Sequence, residues 1–182
     1  MAYHYARFGA QIVITARREK VLKQVAEKCL SLGAQKALYI AADMGSESDP
    51  DKVVDFALEK LGGLEYLVLN HIGPSPFSMW DGDVEHTKWL MKHELAMKKS
   101  NVSISICTLG LIDTESAMEK VKGVTNVPAY PATDAAMNII ITGATRQLEL
   151  FYPWPTYFLT ISKDWFPSIT NYIIQNSYNY IP

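Results

Sequence analysis

The chain has little cysteine, no long apolar run and no excess charge of either sign, and each shortage removes a class of protein. Cys29 and Cys107 are its two cysteines. They stand far apart without metal or redox spacing, and two buried thiols is the plainer reading. No apolar run reaches the roughly 20 residues that span a bilayer. The first nine residues show no basic head leading into an apolar core, so no signal peptide is legible and the chain as written is expected in the cytosol. Seventeen Lys and Arg against 19 Asp and Glu give a net charge of −2. That balance removes the electrostatic case for a nucleic-acid partner. There is no Walker A sequence, zincin or zinc-finger spacing, or Gly-x-Ser-x-Gly elbow. The carboxylates are scattered as solvated helix charges, so no metal site is expected. Internal repeats and low-complexity tracts are also missing.

What remains is an ordinary globular composition, with 182 residues, 48% hydrophobic and 20% charged. That is long enough for one domain with a core. Its organising stretch runs from Leu61 through Gly62, Gly63, Leu64, Glu65, Tyr66, Leu67, Val68 and Leu69 to Asn70, His71, Ile72 and Gly73. The glycines close a helix. The apolar run that follows does not alternate, which suits a parallel strand over 66–70 buried on both faces. Asn-His-Ile-Gly then forms a polar, backbone-permissive patch at that strand's carboxyl end, the edge where open α/β sheets bind ligands.

The rest of the chain alternates in the same way. Residues 1–8 read as a short helix stopped by Gly9, and 11–16 as a β-branched strand. A helix opens at Arg17, with Val21, Leu22, Val25 and Leu30 near helical spacing, and stops at Gly33. A strand over 37–41 precedes a helix over about 51–60, capped by the polar cluster 46–51. A helix over 84–99, a strand over 101–108, a helix over 115–122 and a helix over 133–148 follow. Strands alternating with helices at this spacing predict an α/β fold with a mostly parallel sheet. From Phe151 the chain is an aromatic-rich tail. It either packs on its own domain or a dimer mate, or rests on a membrane interface, where rings with polar tips are favoured. Asn101-Val-Ser103 is a glycosylation acceptor pattern, relevant only in the secretory path.

Three predicted strand ends carry polar or permissive residues on one sheet edge. Arg17 and Arg18 follow the first strand, where a dinucleotide fold reads the adenosine ribose. An Arg there accommodates the 2′-phosphate of NADP, and two guanidiniums match a phosphate dianion in charge and fork geometry. Taken alone, an Arg pair at a helix start is solvated surface. Asp43 and Met44 follow the next strand, and Asn70, His71 and Ile72 the third. His71 alone is more simply a satisfied loop histidine. The joint placement carries the weight.

These stretches, with Thr15-Ala-Arg17, 62–72, Asn101-Val-Ser-Ile and 109–118, resemble the short-chain dehydrogenase/reductase family, and within it the 11β-hydroxysteroid dehydrogenase branch. The resemblance covers residues 1–150 and fades in the tail. It implies a partial NADP-binding Rossmann-like domain over 1–150 and a separate tail over 151–182. By position, Arg17 and Arg18 would hold the 2′-phosphate of NADP, and Asp43 and Met44 would border the adenine. Asn70, His71 and Ile72 stand at the family's Asn-Asn-Ala-Gly-type turn, and Ile112, Asp113 and Thr114 would lie along the nicotinamide end. The family passes hydride between NADP(H) and a steroid or another small carbonyl or alcohol. It also implies an endoplasmic-reticulum or secreted location, and dimer contacts made through the helix over 133–148 and the tail.

The departures set the remaining expectations. The family's Thr-Gly-x-x-x-Gly-x-Gly loop, which lets pyrophosphate approach a helix N-terminus, has no match in the chain. The family's acid/base pair is Tyr-x-x-x-Lys, and none of the 10 Tyr here has Lys four residues on. Near Lys92 and His93 the text passes directly into what resembles the end of the catalytic helix, so the family's Asn, Ser, Tyr and Lys fall in an omitted segment. This is the pattern of a shortened splice form or a partial gene model. No catalytic residue is therefore assigned. The chain is expected to be inactive, with NADP binding weak or lost, and to act if at all as a non-catalytic partner or decoy for a full-length form. Counterparts of the first and fifth strands of the 3-2-1-4-5-6-7 sheet are missing, which predicts an incomplete, damaged or rearranged Rossmann-type sheet.

Overall fold

The structure, a computed structural model, describes residues 1–70 and 101–177. The chain divides into two compact units, Met1–Val84 and Glu85–Pro182. In the first, helix α1 (Ala2–Arg7) leads to strand β1 (Gln11–Ala16), helix α2 (Glu19–Ser31), strand β2 (Lys36–Ala41) and helix α3 (Asp49–Leu61). β1 and β2 pair in parallel, from Gln11↔Lys36 to Ala16↔Ala41. α2 lies against both strands, and α1 packs on α2 and β1. Six residues are too few for a helix to persist alone in water, so tertiary packing holds α1, and Ala6 is fully buried. On α2 the buried face is Leu22, Ala26 and Cys29, one stripe at i, i+4 and i+7. Val21 and Leu30, which spacing alone places among the apolar positions, are exposed. Small residues let the helices sit close, and among the described residues of this unit Leu22 is the one bulky aliphatic that is buried.

α3 ends as expected, with Gly62 in the left-handed region at φ 78° and its N–H donating to the Leu58 carbonyl at 2.9 Å. The expected strand over 66–70 is corrected by the structure. That segment joins no ladder. Its side chains are open to solvent, with Leu67 61% and Leu69 67% exposed. A buried parallel strand needs a neighbour on each edge and cover on both faces. The resemblance places this segment beside the two family strands that have no counterpart here. Tyr66 instead leans on α1, its ring 6.1 Å from that of Tyr5. Amides 66–70 are accordingly expected to exchange with deuterium close to unstructured rates, while those of β1 and β2 shared between the strands are protected. Slow exchange across 66–70 would show a ladder there.

The second unit runs through strand β3 (Ile106–Leu109), strand β4 (Ile112–Asp113), helix α4 (Glu115–Val121), strand β5 (Tyr130–Pro131), helix α5 (Ala132–Ala144) and strand β6 (Glu149–Tyr152). Helices α6 (Pro155–Trp165) and α7 (Pro167–Ser177) follow. β3 pairs in parallel with β6, and β4 with β5. Every strand pair among the described residues is therefore parallel, which makes the class α/β, as an incomplete Rossmann-type sheet broken into two-stranded pieces. Ala135, Ala136, Ile140 and Thr142 of α5 form the buried face of this unit.

Two expectations change here. The strand over 101–108 shrinks to β3, because its partner β6 offers four residues and the register begins at Ile106↔Glu149. The helix over 133–148 stops at Ala144, where Arg146 takes φ 55° and the Gln147 N–H returns to the Thr142 carbonyl at 3.0 Å. Leu148 thereby passes out of the helix, and its carbonyl accepts from the Ile106 N–H at 2.9 Å. β6 runs across position 150/151, and two helices follow it. The expected helix over 84–99 lies outside the described residues, as do His71 and Ile72.

Candidate functional site

β1 and β2 end side by side, and that fixes the first cluster. The Ala42 N–H donates to the Ala16 carbonyl at 3.1 Å, one step beyond the Ala16↔Ala41 pair. Arg17 and Arg18 thus leave one strand where Asp43 and Met44 leave its neighbour, on the carboxyl edge of the pair. Both guanidiniums are exposed, and among the described residues no carboxylate pairs with either. Asp43 is exposed and Met44 half-buried. The Asp43 carboxylate accepts from the Gly45 N–H at 3.0 Å, and its carbonyl accepts from the Ser46 N–H at 2.9 Å, which closes a tight turn. Asp49, the first residue of α3, accepts from the Asp43 N–H at 3.1 Å and from Lys52 at 2.9 Å. Those two bonds, Lys52 first, hold its carboxyl below the usual carboxylate range. Two free cations beside an acidic turn on a strand edge suit a phosphorylated ribose and its base. Asn70 is exposed in the extended segment of the same unit.

The second cluster belongs to the other unit. Ile112 and Asp113 form β4, paired with Tyr130 and Pro131. Thr114 caps α4, its hydroxyl accepting from the Ala117 N–H at 3.3 Å. Ile112 is half-buried, while Asp113 and Thr114 are exposed. Gly110 turns the chain between β3 and β4 and donates to the Tyr152 carbonyl at 2.8 Å. A Cβ there would sit 3.0 Å from Pro153 Cδ and 3.2 Å from Thr156 Oγ1. A side chain at this position would therefore need Pro153 and Thr156 at β6's exit to give by a few tenths of an ångström.

Sequence reasoning missed what surrounds this turn. Tyr130 and Tyr152 meet edge-on at 6.2 Å. Desolvation, then the charge of Asp134, then Tyr130 push the Tyr152 hydroxyl up. The signal was the short apolar and aromatic run over 148–152, which reads equally as a strand or as part of an aromatic tail until its partner is known. Asp49 likewise carries no signal in the sequence beyond its place in a capping cluster. Of the two thiols expected to be buried, Cys29 is and Cys107 is half-buried; desolvation pushes both up. Among the described residues no group of three His, Cys, Asp or Glu side chains could hold a metal ion.

The comparisons with known proteins agree with this framework. The family model described as short chain dehydrogenase matches residues 1–88. The hydroxysteroid 11-beta-dehydrogenase 1-like protein of Danio rerio is 50% identical over 239 residues, spanning 100% of this chain and 83% of that relative. The proteins of the same name from Gallus gallus and Xenopus tropicalis are 45% and 41% identical, each over 99% of this chain and 82% and 83% of their own lengths. The Danio rerio match runs over 239 residues, 57 more than the chain's 182, so it includes positions that have no counterpart here. With 50% identity over a match that spans the whole chain, on a framework of parallel strand pairs covered by helices, the chain belongs to the short-chain dehydrogenase/reductase family, in its hydroxysteroid dehydrogenase group.

Proposed function

We propose that this chain is an NADP(H)-binding member of the family that does not turn over substrate. The observation that carries the binding half is the placement of Arg17 and Arg18 beside the Asp43 turn, fixed by the bond from Ala42 to Ala16. The residues present fit the adenosine end of NADP. Arg17 and Arg18 would hold the 2′-phosphate, and Asp43 and half-buried Met44 would border the base. Ile112, Asp113 and Thr114 are the residues the resemblance assigns to the nicotinamide end, with Asn70, His71 and Ile72 beside the cofactor. When bound, NADP(H) supplies the hydride for carbonyl and alcohol interconversion in the family.

The other half rests on what must accompany the hydride. A carbonyl oxygen needs a proton donor placed within hydrogen-bond reach. No Tyr among the 10 in the chain has its Lys four positions on. The 57 extra residues in the Danio rerio match leave room for the omitted segment. Weak nucleotide binding without turnover is the result.

Thermal melting with and without dinucleotide tests the reading. NADPH at about 100 times its Kd should stabilise the chain by about 2.7 kcal/mol, with NADH giving much less. Replacing both Arg17 and Arg18 with Ala should abolish the difference between the two. Equal shifts from NADPH and NADH would end the assignment of the arginines to a 2′-phosphate. The exposed aromatic side chains Trp154, Phe158, Trp165 and Tyr172 favour a second reading. In it the chain pairs, with itself or as a decoy with a full-length relative, or touches a membrane surface through residues 151–182. Co-expression and co-purification with a full-length relative decides the pairing, and liposome co-sedimentation before and after truncation at Phe151 decides the membrane contact. By family, the compartment would be the endoplasmic reticulum or the secretory path.

A further inference from the structure

We propose that Asp49 is the positioning residue of the nucleotide site, holding the Asp43–Met44 turn in the shape that borders the adenine ring. This deepens the NADP(H) reading above and rests on it. Asp49 stands outside the strand ends and has no role among the residues assigned to the cofactor. It is the first residue of α3, and its two carboxylate oxygens face two different elements. Oδ2 accepts from the Asp43 backbone N–H at 3.1 Å, and Oδ1 accepts from Lys52 Nζ at 2.9 Å, within the helix. The Asp49 side chain is 24% exposed, while that of Lys52 is 63% exposed.

The turn has its own closing bonds, from the Gly45 N–H to the Asp43 carboxylate and from the Ser46 N–H to the Asp43 carbonyl. Both tie the turn to itself. The Asp43–Asp49 bond is different, because it ties the exit of β2 to the first turn of α3. Without the Asp49 carboxylate, which the Ser46 side chain of the turn also meets, the turn keeps its local shape but is free to swing about the end of β2, carrying Met44 away from Arg17 and Arg18. Lys52, one turn further along the helix, meets the other carboxylate oxygen from a largely exposed position.

The test uses the full 182-residue chain and three variants: Asp49→Ala, Asp49→Asn and Lys52→Met. Amide exchange without nucleotide reads the turn, and NADPH affinity by fluorescence titration reads the site. In Asp49→Ala the Asp43 amide should exchange about tenfold faster, and the NADPH Kd should weaken about tenfold, the scale of one lost charge-assisted hydrogen bond. Asp49→Asn keeps an acceptor of the same shape and should bring both readouts back to within about twofold. Lys52→Met should leave both within about twofold, because an exposed ion pair contributes little. Unchanged Asp43 exchange in Asp49→Ala, or a Lys52→Met variant as defective as Asp49→Ala, overturns the proposal. Failure of the unsubstituted chain to bind NADPH sinks the nucleotide reading alone, since exchange in the same samples still decides the Asp49 bond.

Discussion

Mixed with NADPH and a steroid ketone, the purified chain is expected to form no alcohol above the uncatalysed rate. Positioned acid–base groups contribute about 10²–10⁴-fold each, and the Tyr-x-x-x-Lys pair that serves the family has no match here. Tyr152 does not substitute for it. Burial and the charge of Asp134 push its hydroxyl up, opposite to the direction a neighbouring lysine would impose on a catalytic tyrosine. Its ring packs edge-on against Tyr130. Product analysis by chromatography over hours, with a full-length relative as the positive control, checks the point. Turnover that disappears in Arg17→Ala would show that hydride transfer survives in this chain, and the non-turnover reading would fail.

Leu22→Ala should have the largest effect on stability. Leu22 is 5% exposed, and among the described residues of its unit the other buried apolar ones are Ala6, Ala26, Cys29 and Ala57. A core built of small side chains has little with which to refill the hole. Leu→Ala in a buried site removes about 2–5 kcal/mol, against a whole-domain margin of about 5–15 kcal/mol. Urea denaturation followed by circular dichroism should therefore show a lower midpoint for the first unit, or no folded baseline. Leu30→Ala is the control, since Leu30 lies on the same helix but is 50% exposed; it should change stability by about 0.5 kcal/mol or less. Equal effects from the two would mean that α2 presents another face to the strands.

The elements that sequence pattern placed well are those whose signals are local. β1 runs over the expected 11–16, where β-branched residues sit between two helices. α3 closes at Gly62 because a left-handed cap suits glycine wherever the chain ends up. Arg17, Arg18, Asp43 and Met44 were legible for the same reason: each follows directly on a strand whose direction the alternation already fixes. Asp49 was not, because a carboxylate in a polar cluster looks the same whether it caps its own helix or reaches back six residues to Asp43.

By itself, the sequence determined the α/β class, the first two strands with their helices, the polar residues at their carboxyl ends, and the family. Tertiary structure decided which apolar runs became strands. Residues 66–70 and 148–152 carry comparable apolar and aromatic content, yet only the second is in a ladder, as β6, because β3 is there to accept its backbone bonds. A strand is completed by its neighbour. Its hydrogen-bonding groups point sideways to residues far away in the chain, and no local pattern records whether that neighbour is present.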